Sequence, residues 1–313
     1  MVRALAIQGR DDKADVLDLG PAADPGPGQV RVTVEAASVN GIDAAIAAGY
    51  LWHVFPHTFP VVIGRDFAGI ADAVGSAVTT VTPGDRITGV LTAMSLGSTG
   101  GIAESLTVDA DTVVPVPDGV TSAQAAAIGL AGVTALDLLG ALDLTSGDVV
   151  LISGATGGVG VFAIQLAVAA GATVIATARP GEASELVHRL GAAHAVDYTG
   201  DLAAAVRAVA PDGVTAVVHA AGDPAELAAV IRPGGRLASA LSATAEQAGR
   251  DDITVTPIVA VASREKLSAL LAEVAAGRLE VPIAHTYALA QAAAALADFS
   301  VVHKLGKLVV APH

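Results

Sequence analysis

A chain of 313 residues with 53% hydrophobic residues, a formal charge of −14 and no cysteine has room for two domains and a large core. The negative charge argues against nucleic acid or an anionic membrane surface as a partner, and the absence of cysteine removes disulfides, thiolate zinc sites and a cysteine nucleophile together. Gln8, Gly9, Arg10 and Asp11 arrive too early to leave a signal peptide its apolar region, so a cytoplasmic location is expected.

From Met1 to about Gly119 the pattern is short and β-like. Val2 to Ile7 and Gln29 to Ser38 alternate with period two on either side of the turn-rich stretch Gly20 to Gly28, and Pro60 to Gly75 and Val81 to Val90 repeat the theme. This predicts an all-β module. Asp118-Gly119 and Thr121-Ser122 mark a change of period: Ser122 is a candidate N-cap for an alanine-rich helix through Gly129, and a second helix is expected from Val133 to Leu142.

Val149 to Arg179 organises the rest. Val149 to Ser153 is a β-branched apolar run of one buried parallel strand's length, the small residues Gly154, Ala155, Thr156, Gly157, Gly158, Val159 and Gly160 form a loop, and a helix runs on to Gly171 before Thr173 to Ala178 resumes β character. This is one βαβ unit of about thirty residues. The glycines at 154, 157 and 160 let backbone approach a pyrophosphate closely, and the following helix N-terminus supplies free N–H groups and a positive dipole end. A strand before the loop and a helix after it are the context that gives such spacing meaning. Val149 to Ala178 is uncharged, but closely spaced loop glycines would leave backbone unpaired in lipid, and the uncharged run Gly119 to Leu136 is only weakly apolar, so no membrane span is expected.

Alternation continues with helix Glu182 to Leu190, strand His194 to Asp197, helix Leu202 to Val209, strand Ala216 to Ala220, helix Ala225 to Ile231 and strand Arg236 to Ala240, the last fed by the turn Pro233-Gly234-Gly235. Such alternation predicts a doubly wound parallel sheet, an α/β fold. Pro257 marks Ile253 to Val261 as an edge strand. A helix from Arg264 to Ala276, a β run from Val281 to Tyr287, a helix from Leu289 to Phe299 and a strand from Gly306 to Val310 complete the chain.

With these segments in place the chain resembles the zinc-independent medium-chain dehydrogenase/reductases of the quinone oxidoreductase (zeta-crystallin-like) type. The resemblance rests on Val39-Asn40-Gly41-Ile42-Asp43, Gly64 to Gly69, Gly84-Asp85-Arg86, Gly101 to Glu104, Ala131 to Ala135, Gly154 to Gly160 with Gln165-Leu166-Ala167, Leu190-Gly191-Ala192, Asp197-Tyr198, Pro233 to Arg236 and Gly306-Lys307, in that order. Gly154 stands where the family usually has alanine. The resemblance implies a GroES-like β domain from 1 to 118, joined by 263–313, and a Rossmann NADP-binding domain over 119–262.

NAD-binding versions of this fold place an acid after the second strand to hold the ribose hydroxyls. Here the strand ends Thr177-Ala178-Arg179, and a guanidinium would pair with a 2′-phosphate, which points to NADPH. The plain alternative is a solvated arginine. By resemblance, Tyr198 lies near the adenosine phosphate, Asn40 orients the nicotinamide or substrate, and Thr134 holds the carboxamide side. Asn40-Gly41 replaces the first zinc-ligating cysteine of related enzymes, and His53 and His57 lack a third ligand, so no metal is expected. The implied reaction is hydride transfer to an acceptor activated by conjugation, a small-molecule quinone or α,β-unsaturated carbonyl. Tyr50 is a candidate proton donor or gate. Trp52, Phe55 and Phe59 are candidates to line an apolar pocket for a flat ring, with a local hydrophobic cluster as the alternative. The carboxylates of Asp43 and Asp66 are expected to fix backbone turns. A non-catalytic nucleotide-binding scaffold and an enoyl-thioester reductase are the competing functions, and pairing of the apolar edge strand across a two-fold axis predicts a homodimer.

Overall fold

The structure is a computed structural model and describes residues 1–92, 95–301 and 305–312. Two compact units divide the chain: Met1–Leu130 with Ala262–His313, and Ala131–Val261.

The first unit opens with β1 (Arg3–Ile7), β2 (Asp15–Asp18), β3 (Gln29–Ser38), α1 (Gly41–Ala47), β4 (Val61–Val62), β5 (Asp66–Val74), β6 (Arg86–Val90), β7 (Ser105–Asp109) and β8 (Val113–Pro115). The expected all-β run is therefore interrupted by a 3-10 turn at Ala110–Thr112 and by a short α-helix, α1, whose start is fixed where the Asn40 N–H donates to Asp43 Oδ2 at 2.8 Å. Alternation in β3 turns Val30, Val32 and Val34 into a core with Phe67, Ile87, Leu106 and Val113.

Where the sequence predicts two helices, α2 (Ser122–Leu142) is one. Gly129 reads as a helix end because glycine weakens helices. Its presence mid-helix has a packing reason: a Cβ there would stand 2.7 Å from Asp66 Oδ1. By length and composition α2 could cross a membrane, but 61% of its most apolar window is buried inside the protein, as in a core helix.

The second unit follows with β9 (Val149–Ser153), α3 (Gly160–Ala169), β10 (Thr173–Thr177), α4 (Glu182–Arg189), β11 (His194–Val196), α5 (Leu202–Val209), β12 (Val214–His219), α6 (Pro224–Ala228), β13 (Ile231–Ser239), α7 (Ala245–Ala248) and β14 (Thr254–Pro257). Its strands form a six-stranded sheet in the order β11-β10-β9-β12-β13-β14, and every neighbour pair is parallel. This is a doubly wound sheet whose order reverses between β9 and β12, the position at which such sheets bind ligands outside the strand carboxyl ends. Leu151, Ile175, Val217 and Leu237 fill its core. Pro233-Gly234-Gly235 lies within β13, not ahead of it; the pairing jumps from Val214–Ile231 to Ala216–Arg236, so the turn is absorbed as an irregularity. The edge position expected for Ile253 to Val261 is occupied by the shorter β14, which pairs with β13 alone.

The chain then contributes α8 (Arg264–Ala275), β15 (Ile283–Ala288), α9 (Ala292–Val301) and β16 (Lys307–Ala311) to the first unit. There β16 pairs antiparallel with β3, which places Lys307 in the same sheet as the strand leading into Asn40.

Candidate functional site

The glycine loop leaves β9 at the reversal point of the second unit. Gly154 sits at φ +73°, a left-handed conformation that glycine adopts without cost. Its N–H donates to Thr177 Oγ1 at 3.1 Å, at the end of β10, so the second strand fixes the start of the loop. Gly160 has a different reason: a Cβ there would lie 2.3 Å from the Gly154 carbonyl oxygen and 2.5 Å from Ala155 Cα, so only glycine lets α3 begin this close to the loop. Ala155 and Thr156 are buried, whereas Gly157, Gly158 and Val159 are partly open. Val159 stands at the head of α3, and no side chain caps that end. An open, side-chain-poor turn running into an uncapped helix start fits the pyrophosphate of a dinucleotide.

Past the end of β10, the exposed guanidinium of Arg179 lies 5.7 Å from the centroid of the half-buried Tyr198 ring. Asp197 is adjacent. Its carboxyl is held below its usual range by the Thr199 N–H and hydroxyl, with a further contribution from Arg179. Thr134 is half-buried on α2, well inside the helix.

In the first unit Asn40 belongs to a buried polar cluster. Lys307 Nζ donates to Asn40 Oδ1 at 2.6 Å and to the Val39 carbonyl at 3.2 Å. Asn40 Nδ2 donates to Asp66 Oδ2 at 2.8 Å, and Asp66 also accepts from the Ser38 hydroxyl at 2.6 Å and the Leu130 N–H at 2.8 Å. Ser38, Asn40, Asp43, Arg65, Asp66 and Lys307 are all buried. The Asp43 carboxyl is pushed up to about 7 by burial and then by the neighbouring Asp66, and its Oδ1 has no hydrogen-bond partner. Asp43 does fix a turn, as expected. Asp66 does more than that: it anchors one side of a charged network that includes Lys307, whose role the sequence did not reveal. A lysine or aspartate on an otherwise apolar strand is the signal that could have pointed to it.

The aromatic residues divide. Trp52 is 8% exposed and belongs to the core of the first unit, against which Phe55 and Phe59 pack. Trp52 meets His57 and Phe59 at ring-centroid separations of 5.1 and 5.5 Å. The His57 imidazole is thus part of this tilted and edge-on aromatic cluster, while His53 is exposed. Tyr50 is 77% exposed. Among the described residues, no group of three or more His, Cys, Asp or Glu side chains is arranged to hold a metal ion.

Residues 26–118 match the family described as "Alcohol dehydrogenase GroES-like domain", and residues 190–310 match "Zinc-binding dehydrogenase". A Pseudomonas aeruginosa protein named "Quinone oxidoreductase" is 35% identical over 196 residues, 62% of this chain and 57% of the relative. The chain belongs to the medium-chain dehydrogenase/reductases of the quinone oxidoreductase type. In this family the first unit is the GroES-like β domain and the second the Rossmann sheet. A quinone oxidoreductase structure from Coxiella burnetii superposes with TM-score 0.86 at 27% identity, covering 100% of this chain and 99% of the other. A mycobacterial protein solved in complex with NADPH gives TM-score 0.85 at 28% identity, covering 100% of both chains. A "Mycocerosic acid synthase-like polyketide synthase" of Mycolicibacterium smegmatis is 32% identical over 91% of this chain, which spans 14% of that much longer protein.

Proposed function

We propose that this family member is an NADPH-dependent, metal-independent oxidoreductase that delivers hydride to a small quinone or α,β-unsaturated carbonyl. The observation that carries the reading is Arg179, stacked on Tyr198 just past the end of β10. In doubly wound sheets this position faces the adenosine ribose, where an acid favours NAD and an arginine accommodates a 2′-phosphate. The NADPH complex of the mycobacterial relative supports the same choice.

In this reading the backbone of Gly154, Ala155, Thr156, Gly157, Gly158, Val159 and Gly160 receives the pyrophosphate, Thr177 holds the loop in place, and Arg179 with Tyr198 binds the 2′-phosphate. The nicotinamide, when bound, supplies the hydride. Thr134 holds the carboxamide side. Asn40, with its carboxamide anchored between Lys307 and Asp66, is a rigid element beside the reaction. Tyr50 keeps its phenol in solvent, where it serves as a proton source, and Trp52, Phe55 and Phe59 form the apolar base on which its loop stands. Metal independence follows from charge: the Asp43 and Asp66 carboxylates already face Lys307 and Arg65, whose fields oppose a dication.

Steady-state oxidation of NADPH with a panel of quinones and enones tests the reading. Turnover is expected with several of them. NADPH binding without turnover over the whole panel would leave the scaffold function instead. The match to a polyketide synthase over 91% of this chain favours a second reading, reduction of an enoyl thioester, so crotonyl-CoA belongs in the same panel. A homodimer is also proposed: β14 leaves one edge of the sheet unpaired, and Leu241, Val259 and Val261 are exposed apolar residues. Sedimentation as a monomer at micromolar concentration would contradict it.

A further inference from the structure

His219 ends β12, is 2% exposed, and touches two strand-end loops at once. Its Nδ1 is 3.0 Å from Ser239 Oγ, at the end of β13, and its Nε2 is 3.1 Å from the Gly222 carbonyl oxygen. Ser239 Oγ also accepts the Leu241 N–H at 3.1 Å and the Ala243 N–H at 3.0 Å. A serine hydroxyl has one hydrogen and two lone pairs. Both lone pairs are taken by the backbone, so its hydrogen goes to Nδ1, and the imidazole proton sits on Nε2 and is donated to Gly222. The network thus assigns a neutral ring in one tautomer.

The segment this ring holds is the wall of the glycine loop. The Ala220 N–H donates to the Ser153 carbonyl at 3.2 Å, and Ser153 Oγ donates to the Ala221 carbonyl at 2.6 Å. The space a Cβ on Gly154 would fill ends 3.0 Å away on Ala221 Cβ. Gly222, at φ +89°, ends the segment.

We propose that His219 is a positioning residue for the dinucleotide site, a neutral latch that clamps Ala220–Gly222 against the glycine loop and is released when the ring takes up a proton. This rests on the dinucleotide reading of that loop. The release has a hydrogen-bond cause: a proton on Nδ1 would face a hydroxyl that is already donating, and Ser239 could accept it only by giving up a backbone N–H. Burial opposes the charged ring in the same direction. Around the ring, β9 brings Ser153 and β13 brings Ser239, both uncharged, while Asp223 at the head of α6 is the charge whose field favours the imidazolium.

The test is calorimetric titration of NADP+ into the full chain between pH 7.5 and 5.5, for the wild type, His219→Gln and His219→Phe. Glutamine can accept from Ser239 and donate to Gly222 without titrating. It is expected to bind within about threefold of the wild type at pH 7.5 and to lose binding less steeply in acid. Phenylalanine keeps the volume and removes both hydrogen bonds, and is expected to weaken binding at least about tenfold at pH 7.5, with thermal unfolding confirming that it is folded. Titration of the 2′-phosphate is common to all three proteins and cancels in the comparison. Equal acid slopes for the wild type and His219→Gln, or unchanged affinity in folded His219→Phe, would overturn the latch while leaving the dinucleotide site intact. A wild type that binds neither NADP+ nor NAD+ would overturn the dinucleotide reading and the latch with it.

Discussion

Lys307 Nζ lies 2.6 Å from Asn40 Oδ1, a hydrogen bond between residues 267 positions apart that is buried inside the GroES-like unit. It fixes which way the Asn40 carboxamide points, because an ammonium can only donate: the oxygen must face Lys307 and the amide nitrogen Asp66. The final strand of the chain thereby sets the orientation of a side chain at the start of α1.

Lys307→Met keeps most of the side-chain volume and deletes the charge. Asp66 then retains its Ser38, Asn40 and Leu130 donors but loses the favourable field of the Lys307 ammonium, and Asn40 Oδ1 is left buried without the Lys307 donor. Removing one of two opposite buried charges and leaving the other uncompensated costs about 3–5 kcal/mol. Urea unfolding at pH 8 should show a loss of that size, and Lys307→Met combined with Asp66→Asn should recover much of it. A double variant no more stable than the single would show that the two charges do not compensate each other.

Asp43 predicts how stability depends on pH. Burial and Asp66 raise its folded pKa to about 7, above its ordinary value of 3.8, so the folded protein holds a proton that the unfolded chain has released in the window between them. That contribution to stability is complete below the unfolded pKa and is lost as pH rises toward about 7, with a slope of at most about 1.4 kcal/mol per pH unit. Asp43→Asn should remove this component: the wild type should gain less, or lose more, stability than the variant between pH 5 and pH 7.5. Parallel stability curves would show that Asp43 does not titrate in this range.

The parts of this protein that were legible in its sequence are those whose cause is local. A loop that must turn sharply and let a helix start close against it needs glycine at set positions, and Gly154 and Gly160 carry that requirement within seven residues of each other. The parallel sheet was legible for the same reason, as regular alternation of periods. The cluster of Ser38, Asn40, Asp66 and Lys307 was not, because its members meet only through the pairing of β3 with β5, which sets Ser38 opposite Asp66, and with β16, which brings in Lys307. Gly129 was misread because its glycine answers to Asp66, far away in sequence, and not to the helix that contains it. The concentration of aromatics from Trp52 to Phe59 was visible, but only packing decides which ring turns inward.

Gly160→Ala tests the close start of α3. A methyl group 2.3 Å from the Gly154 oxygen cannot be accommodated without moving the loop, and overpacking of this kind costs about 1–3 kcal/mol. A lowered unfolding midpoint together with lost NADPH binding is expected. Gly157→Ala, whose nearest new contact is 3.3 Å away, should be much milder in stability. Equal damage from both would mean that the approach at Gly160 is not the constraint.

Trp52 and Tyr50, two positions apart, should behave in opposite ways. Trp52→Ala empties a core position packed against His57 and Phe59 and should cost about 3–5 kcal/mol by chemical denaturation. Tyr50→Phe changes an exposed phenol and should alter stability by no more than about 0.5 kcal/mol. If Tyr50 supplies the proton, Tyr50→Phe should lower kcat for enones, whose developing enolate needs one, more than it affects NADPH binding. Unchanged kcat over the panel would remove Tyr50 from the reaction.

In the proposed reading the choice between the two dinucleotides turns on Arg179. The 2′-phosphate is the only chemical difference between NADPH and NADH, so an arginine that recognises it must act on one and not on the other. Arg179→Gln removes the charge while leaving Tyr198 and the loop in place. Loss of a charge-assisted hydrogen bond is worth about 1.5–3 kcal/mol, or roughly 10- to 150-fold in Kd. NADPH affinity should fall by that factor, and NADH affinity should stay within about twofold. The selectivity should also weaken as salt is raised in the wild type, because Arg179 is exposed and its field is screened, and this salt dependence should be smaller in the variant. A parallel loss of both dinucleotides would assign Arg179 to the shape of the loop after β10, and no loss of either would leave it a solvated side chain resting on Tyr198.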